Sequence, residues 1–139
     1  MEVTTIMHPG AATATAATTV TALAEQMREE DIGVIPIAED GKPIGIVTDR
    51  DIALRAVAAD KTSSTLTAGD IMTNEVVTCR PEQPIEDALE IMDEAHVRRL
   101  PVVNGAGELV GMLGLGDIAS ALPRDISGDL LRSVAAHHD

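Results

Sequence analysis

No Phe, Trp or Tyr occurs in the 139 residues, although 45% of the sequence is hydrophobic. A core without aromatic rings has to be built from Val, Ile, Leu, Met and Ala. Ligand recognition is limited in the same way, because a purine finds no ring to stack on and must lie between aliphatic side chains. Cys79 is the single cysteine, which excludes an intramolecular disulfide and suits a reducing compartment. Basic residues are scarce, ten against 23 acidic ones, for a formal charge of −13. Nucleic acid and anionic membrane both demand a basic footprint, so neither is expected as a partner. A phosphate group would have to find its arginines locally. No apolar stretch is long enough to cross a bilayer, and the N-terminus lacks a basic segment followed by an apolar run. A soluble, cytoplasmic protein is expected.

What is present is an internal repeat. With a shift of 65, Ile6-Met7 falls on Ile71-Met72, Thr13 on Thr78, Met27 on Met92 and Pro36 on Pro101. One extra residue enters around Asn104 to Glu108, and the shift becomes 66. Gly45 then falls on Gly111, and Asp51-Ile-Ala53 on Asp117-Ile-Ala119. Two copies of this length point to a pseudo-symmetric pair rather than a solenoid. The expected organisation is a first repeat over 1–66, a second over 67–125, and a tail over 126–139. In that tail Ile126, Leu130, Leu131 and Val134 suggest a short amphipathic helix.

Each copy predicts the same elements. Glu75-Val-Val-Thr-Cys79 reads as a short strand. The Ala/Thr tract at 11–17 alone looks unstructured, but the register makes Ala12 to Ala14 the corresponding strand. A helix follows, with Val20, Leu23, Ala24 and Met27 matching Ile85, Ala88, Leu89 and Met92 on one buried stripe. Thr19 suits its N-cap in the first copy, and Pro84 the first helical residue in the second. Two strands joined by a polar, Gly-containing turn come next, at 33–38 and 44–47, then at 99–103 and 109–113. A closing helix ends each copy. The expected fold class is α/β (α+β), two pseudo-twofold β-α-β-β-α repeats with sheets packed together and helices outside.

The junction Gly45-Ile-Val-Thr-Asp-Arg-Asp51 carries the most chemistry. Thr48 and Asp51 stand three residues apart where strand turns into helix, so both side chains face the helix start. A hydroxyl beside a carboxylate there can receive an anion or grip ribose hydroxyls. Thr-x-x-Asp is equally a capping box, which needs no ligand.

The doubled β-α-β-β-α order, with Gly-hydrophobic-hydrophobic-Thr-x-x-Asp closing copy one, resembles the CBS-domain pair, or Bateman module. The resemblance runs from about Ile6 to Leu122 and includes Asp31-Ile-Gly-Val-Ile-Pro36, Val97-Arg-Arg-Leu-Pro101 and Ile71-Met72-Thr73. Within the family, the chain looks most like the small stand-alone bacterial proteins, the hypoxic-response type among them. That resemblance implies a regulatory module binding AMP, ADP, ATP, S-adenosylmethionine or NAD in a cleft, with no required cofactor. Asp51 would hold the ribose and Thr48 the phosphate side. Thr78 would close the same pocket, and Thr13, its repeat equivalent, joins the candidate set. Val34, Ile35 and Pro36 would line the adenine, and Arg98 and Arg99 match positions where related modules place phosphate-binding residues.

The second copy departs from this pattern. It keeps Asp117 but has Gly114 where the hydroxyl belongs, which points to a degenerate or different second site. If Asp117 were only half of a reciprocal cap, loss of the threonine would remove much of its reason.

The remaining candidates are plainer. His8, His96, His137 and His138 show no metal-binding spacing, and no metal ligand set is expected. Cys79 reads as a small buried hydrophobe. No nucleophile–base pair or phosphate loop is visible, so no enzyme is expected. Ala53, Leu54, Val57 and the Leu130–Leu131 segment offer apolar surface for a homodimer. A dimerising pair that works only through protein contacts, with an unknown protein partner, is the alternative function.

Overall fold

Each copy of the repeat is organised on an antiparallel hairpin in the computed structural model, which describes residues 1–123. In the first copy β2 (Val34–Glu39) pairs with β3 (Lys42–Thr48), from Val34 opposite Thr48 to Glu39 opposite Lys42. The turn places Asp40 at φ 52° and Gly41 at φ 79°, the two positive-φ positions that a tight right-twisted hairpin requires. In the second copy β4 (Arg99–Val103) pairs with β5 (Leu109–Gly114), Arg99 opposite Gly114. Its longer turn is held by Asn104, whose Oδ1 accepts the N–H groups of Ala106 and Glu108 at 3.0 Å each.

The expected first strand of each copy shrinks to one residue. Ala14 bridges Ile37 and Cys79 bridges Val102, both in parallel. Their bonding is the same: Ala14 N–H donates to Pro36 O and Cys79 N–H to Pro101 O, at 3.2 and 3.1 Å. Sequence preference over 75–79 suits a strand, but a partner is present at one position only.

The long helices match the predicted stripes with one change. Helix α2 (Val20–Glu30) buries Val20, Leu23 and Met27, while Ala24 lies exposed. Helix α5 (Ile85–Ala95) buries Ile85, Ala88, Leu89 and Met92. Thr19 caps α2, its side chain accepting from Ala22 N–H at 3.2 Å. Pro84 is the N-cap of α5, one position before the expected place. Both helices end on a left-handed residue, Asp31 at φ 54° and His96 at φ 57°, the conformation that stops a helix by redirecting the chain.

The chain divides into two compact units, and their limits do not follow the repeat. One unit is Ala12–Val76; the other joins Met1–Ala11 to the chain from Val77 onward. The leading segment of each repeat is thus packed with the elements of the other. Helix α1 (Val3–Ile6) and β1 (His8–Pro9) sit with the second hairpin, His8 opposite Met112 and Pro9 opposite Gly111. Helix α4 (Ala68–Ile71) and Thr73 sit with the first, Thr73 exchanging both backbone hydrogen bonds with Ile46 at 2.9 and 3.0 Å. These segments also satisfy the helix starts. Val20 N–H donates to Leu66 O at 2.9 Å, and Ile85 N–H to Met1 O at 3.0 Å, groups that no intrahelical acceptor can serve.

Gly45 and Gly111 allow this docking. A β-carbon on Gly111 would stand 2.7 Å from His8 O, and one on Gly45 would strike Met72 Sδ with Thr73 O 3.1 Å away. Each unit has its own aliphatic core. The first gathers Leu23, Ile35, Ile37, Val47, Ala68 and Ile71, the second Val3, Cys79, Ile85, Met92, Leu100, Leu113 and Ile118 among others. The predicted tail helix and His137–His138 lie outside the described residues.

Candidate functional site

Strand β3 runs without a loop into helix α3 (Asp49–Ile52), and Thr48 is the N-cap. Both halves of the capping box are present. Thr48 N–H donates to Asp51 Oδ2 at 2.9 Å, and Asp51 N–H to Thr48 Oγ1 at 3.1 Å. The other oxygen of Asp51, Oδ1, faces Arg55 Nε at 3.8 Å, beyond hydrogen-bond distance, and the side chain is 16% exposed. Arg55 lies on a π-helical turn, Ala53–Val57, that continues α3, and its Nη1 donates to Ile71 O at 2.8 Å. It thereby ties the Asp51 helix to the leading segment of the second repeat. The i, i+4 spacing of Asp51 and Arg55 is the sequence signal for this contact; the link to Ile71 has none.

The other residues expected around this junction take different places. Val34 pairs with Thr48 and is half-buried. Ile35 is fully buried in the first unit's core with Ile37, so its side chain packs there and strand alternation sends Val34 and Pro36 to the opposite face. Pro36 is buried and Thr13 exposed beside the Ala14 bridge. Thr78 belongs to the second unit, half-buried next to Cys79.

In the second unit β5 runs into α6 (Leu115–Ala121) with Gly114 as N-cap. Asp117 Oδ2 accepts Gly114 N–H at 2.8 Å. The carboxylate half of the cap therefore survives without the threonine, and Asp117 needs no ligand to explain it; the expectation that it would lose its structural reason is corrected. Its Oδ1 is taken by His8 Nε2 at 2.9 Å. Sequence spacing gives no sign of His8, which reaches Asp117 because the leading segment packs with the second copy. Arg98 and Arg99 are exposed. Arg98 O accepts Leu115 N–H at 2.8 Å, as Gly33 O accepts Asp49 N–H at 3.0 Å in the first copy. Arg99 crosses to Gly114, its Nη1 only 3.2 Å from where a β-carbon on Gly114 would stand.

A third cap of the same type lies in the leading segment of the second repeat. Thr67 N–H and Oγ1–H both donate to Asp70 Oδ2 at 2.9 Å. These two bonds hold the Asp70 carboxyl below its usual range. Cys79 is buried, and that burial pushes its thiol up to about 11.

The sequence profile of the CBS domain matches this chain twice, over residues 3–57 and 68–124. The chain belongs to the CBS domain family. The CBS pair is 34% identical over 132 residues to Hypoxic response protein 1 of Mycobacterium tuberculosis, a match spanning 94% of this chain and 92% of the relative. The crystal structure of Hypoxic Response Protein I superposes with TM-score 0.81 and 36% identity, over 88% of this chain and 100% of that one. It contains two coordinated zinc ions. Among the described residues here, no three His, Cys, Asp or Glu side chains gather to hold a metal ion; His8 and Asp117 make a pair, not a ligand set.

Two further solved pairs carry adenosine compounds. The CBS pair of MJ0100, in complex with 5′-methylthioadenosine and S-adenosyl-L-methionine, has TM-score 0.78 and 28% identity over 93% of this chain and 98% of its own. CBSX2 in complex with AMP has TM-score 0.73 and 27% identity, over 86% and 94%.

Proposed function

We propose that this CBS pair is a regulatory, non-catalytic module that binds an adenosine-bearing ligand, with the Thr48–Asp51 junction at the centre of the first site. One observation carries the reading. The cap occupies only one oxygen of Asp51, and the other approaches Arg55 Nε at 3.8 Å, beyond hydrogen-bond distance, on a side chain that is 16% exposed. A carboxylate so held accepts ribose hydroxyls without giving up its structural bond. Binding of AMP by CBSX2, and of methylthioadenosine and S-adenosylmethionine by the MJ0100 pair, supports the ligand class. Val34 supplies an aliphatic wall in place of a ring. A ligand of this kind acts by preferring one arrangement of the module over another, and its effect is bounded by that preference.

A dimerising pair that works through protein contacts alone is the second reading. It is favoured by Leu54 and Val57, which are 52% and 72% exposed on the helix following Asp51. Homodimer formation is compatible with both readings; bound nucleotide separates them. Without Trp, Tyr or Phe the protein has almost no near-ultraviolet absorbance of its own. Protein purified from cells is expected to show a band near 260 nm that heat or acid releases, and mass measurement identifies the compound. Failure of AMP, ADP, ATP, S-adenosylmethionine and NAD to bind even at about millimolar concentration, where roughly 4 kcal/mol suffices, would leave the protein-contact reading.

A further inference from the structure

The two copies hold their junction aspartates by opposite means. The shift of 66 that places Asp51 on Asp117 places Arg55 on Ala121, and the shift of 65 places His8 on Thr73. In each copy one basic side chain approaches the Oδ1 that the cap leaves over. In the first it comes from the helix, in the second from the leading segment packed beside it.

The two ties differ in what they use. Arg55 Nη1 donates to Ile71 O at 2.8 Å, while its Nε stays 3.8 Å from Asp51 Oδ1. That link between helix and leading segment runs through a backbone carbonyl, with no hydrogen bond to the carboxylate. In the second copy His8 Nε2 lies 2.9 Å from Asp117 Oδ1, and Oδ2 already holds Gly114 N–H. A carboxylate only accepts, so Nε2 carries the hydrogen of this bond. Here the carboxylate itself is the link. His8 is 75% exposed and Asp117 26%, against 16% for Asp51, so the contact opens without disturbing the core.

The charged groups around the contact are defined by the elements that pack there. Strand β5 sets Met112 opposite His8 and Gly111 opposite Pro9, and has no ionisable side chain. Asp117 is the ionisable residue of α6. Strand β4 brings Arg99, whose Nη1 and Asp117 Oδ2 both lie 3.2 Å from the place of a Gly114 β-carbon. Helix α1 has none, and before it Met1 and Glu2 lie at the start of α5, where Glu2 bridges Pro84.

We infer that His8 is an internal occupant of the second copy's carboxylate: ligand hydroxyls reach Asp117 Oδ1 by displacing the imidazole, which unties the leading segment from α6. This rests on the adenosine reading above and adds that the chain itself opposes binding in one copy only. Imidazoles gain positive charge between about pH 8 and pH 5, and a charged donor holds a carboxylate more strongly than a neutral one. The occupant is therefore strongest in mild acid, and second-copy affinity falls as the pH falls. In the first copy the neighbouring cation is an arginine, which keeps its charge over this range, and a ligand can take Asp51 Oδ1 without breaking the bond to Ile71 O.

The probe is 5′-methylthioadenosine, which is uncharged across this range. It is titrated into isotopically labelled protein at about pH 8 and about pH 6 while backbone amides are followed. Gly114 and Gly116 report on the second copy, Gly33 and Gly45 on the first. Second-copy affinity is expected to fall about two- to fivefold from the higher pH to the lower, the scale of an exposed ion pair. First-copy affinity should stay constant. His8→Thr installs the residue of the other leading segment; at the lower pH it should bind about two- to fivefold more tightly than the wild type. His8→Gln keeps an N–H donor without the charge, and its second-copy affinity should stay flat near the wild-type value at the higher pH. Equal second-copy affinities for wild type and a folded His8→Thr at the lower pH overturn the assignment and leave the adenosine reading standing. A pH dependence that persists in His8→Thr overturns it as well. Binding at the first copy alone, in wild type and His8→Thr alike, removes the second site and this assignment with it. If neither this compound nor AMP moves any of the four glycines at about millimolar concentration, the adenosine reading falls too.

Discussion

His8 Nε2 and Asp117 Oδ1 meet at 2.9 Å although 109 positions separate them in the chain. The contact belongs to a larger exchange, in which residues 1–11 pack with the second repeat and Ala68–Thr73 with the first. The repeat is therefore covalent in one register and physical in another, and damage to the N-terminus should be felt in the second copy.

Val3 tests this. It is fully buried in the same core as Cys79, Leu100 and Leu113. Val3→Ala removes two buried methyl groups and should destabilise the protein by about 1–3 kcal/mol. It should also speed the reaction of Cys79 with a thiol reagent at neutral pH. Unchanged labelling in a measurably destabilised variant would contradict the packing of this segment with the second core.

Cys79 itself predicts a pH dependence. Its thiol is neutral up to about 11 in the folded chain, against an ordinary value of 9.0 in the unfolded one. Below pH 9 both states hold the proton and stability is unaffected. Between pH 9 and 11 the unfolded state loses it first, so stability falls with rising pH. Denaturant titrations of the wild type and Cys79→Ala should diverge in slope against pH only in that interval. Parallel profiles up to pH 11 would contradict the burial of the thiol.

Three glycines give opposite expectations. Gly111→Ala forces a β-carbon to within 2.7 Å of His8 O, a backbone atom, and should cost about 1–3 kcal/mol. Gly45→Ala first meets the flexible end of Met72 and should cost less. Gly116 has open space around it within α6, so Gly116→Ala should stabilise by about 0.5–1 kcal/mol. Thermal melts of the three variants check the order.

Leu54 and Val57, both exposed, are expected to lie in a homodimer interface. Replacing both with Glu should convert a dimer at about micromolar concentration into a monomer in sedimentation that still melts cooperatively, at a lower temperature because the partner's stabilisation is gone. A wild type that is monomeric at that concentration removes the interface.

Much of this was readable beforehand. The shifts of 65 and 66 align residues that occupy equivalent places, down to the Ala14 and Cys79 bridges. Apolar spacing located α2 and α5, and the Gly-containing turns located both hairpins. Three things were not readable. Alignment of Ile6 with Ile71 says that two segments correspond, not with which copy each one packs. The β-branched run at 75–79 favours a strand, but strand formation depends on an available partner, and Val102 alone pairs with Cys79. The Thr-x-x-Asp pattern identifies the Thr48 junction while leaving cap and ligand contact indistinguishable, because both use the same two side chains.

The central claim is that Asp51 holds an adenosine compound through the oxygen its cap leaves over. Calorimetric titration of AMP and S-adenosylmethionine into the wild type and into Asp51→Ala tests it most directly. A carboxylate accepting two ribose hydroxyls contributes charge-assisted bonds of roughly 1.5–3 kcal/mol each. Losing them should weaken first-copy binding at least about tenfold. The carboxylate half of the capping box, the Thr48 N–H bond to Asp51 Oδ2, is lost too, so the variant is first shown to be folded by its melting curve. The account predicts a folded Asp51→Ala with first-copy affinity at least tenfold weaker; equal affinities in the folded variant would contradict it.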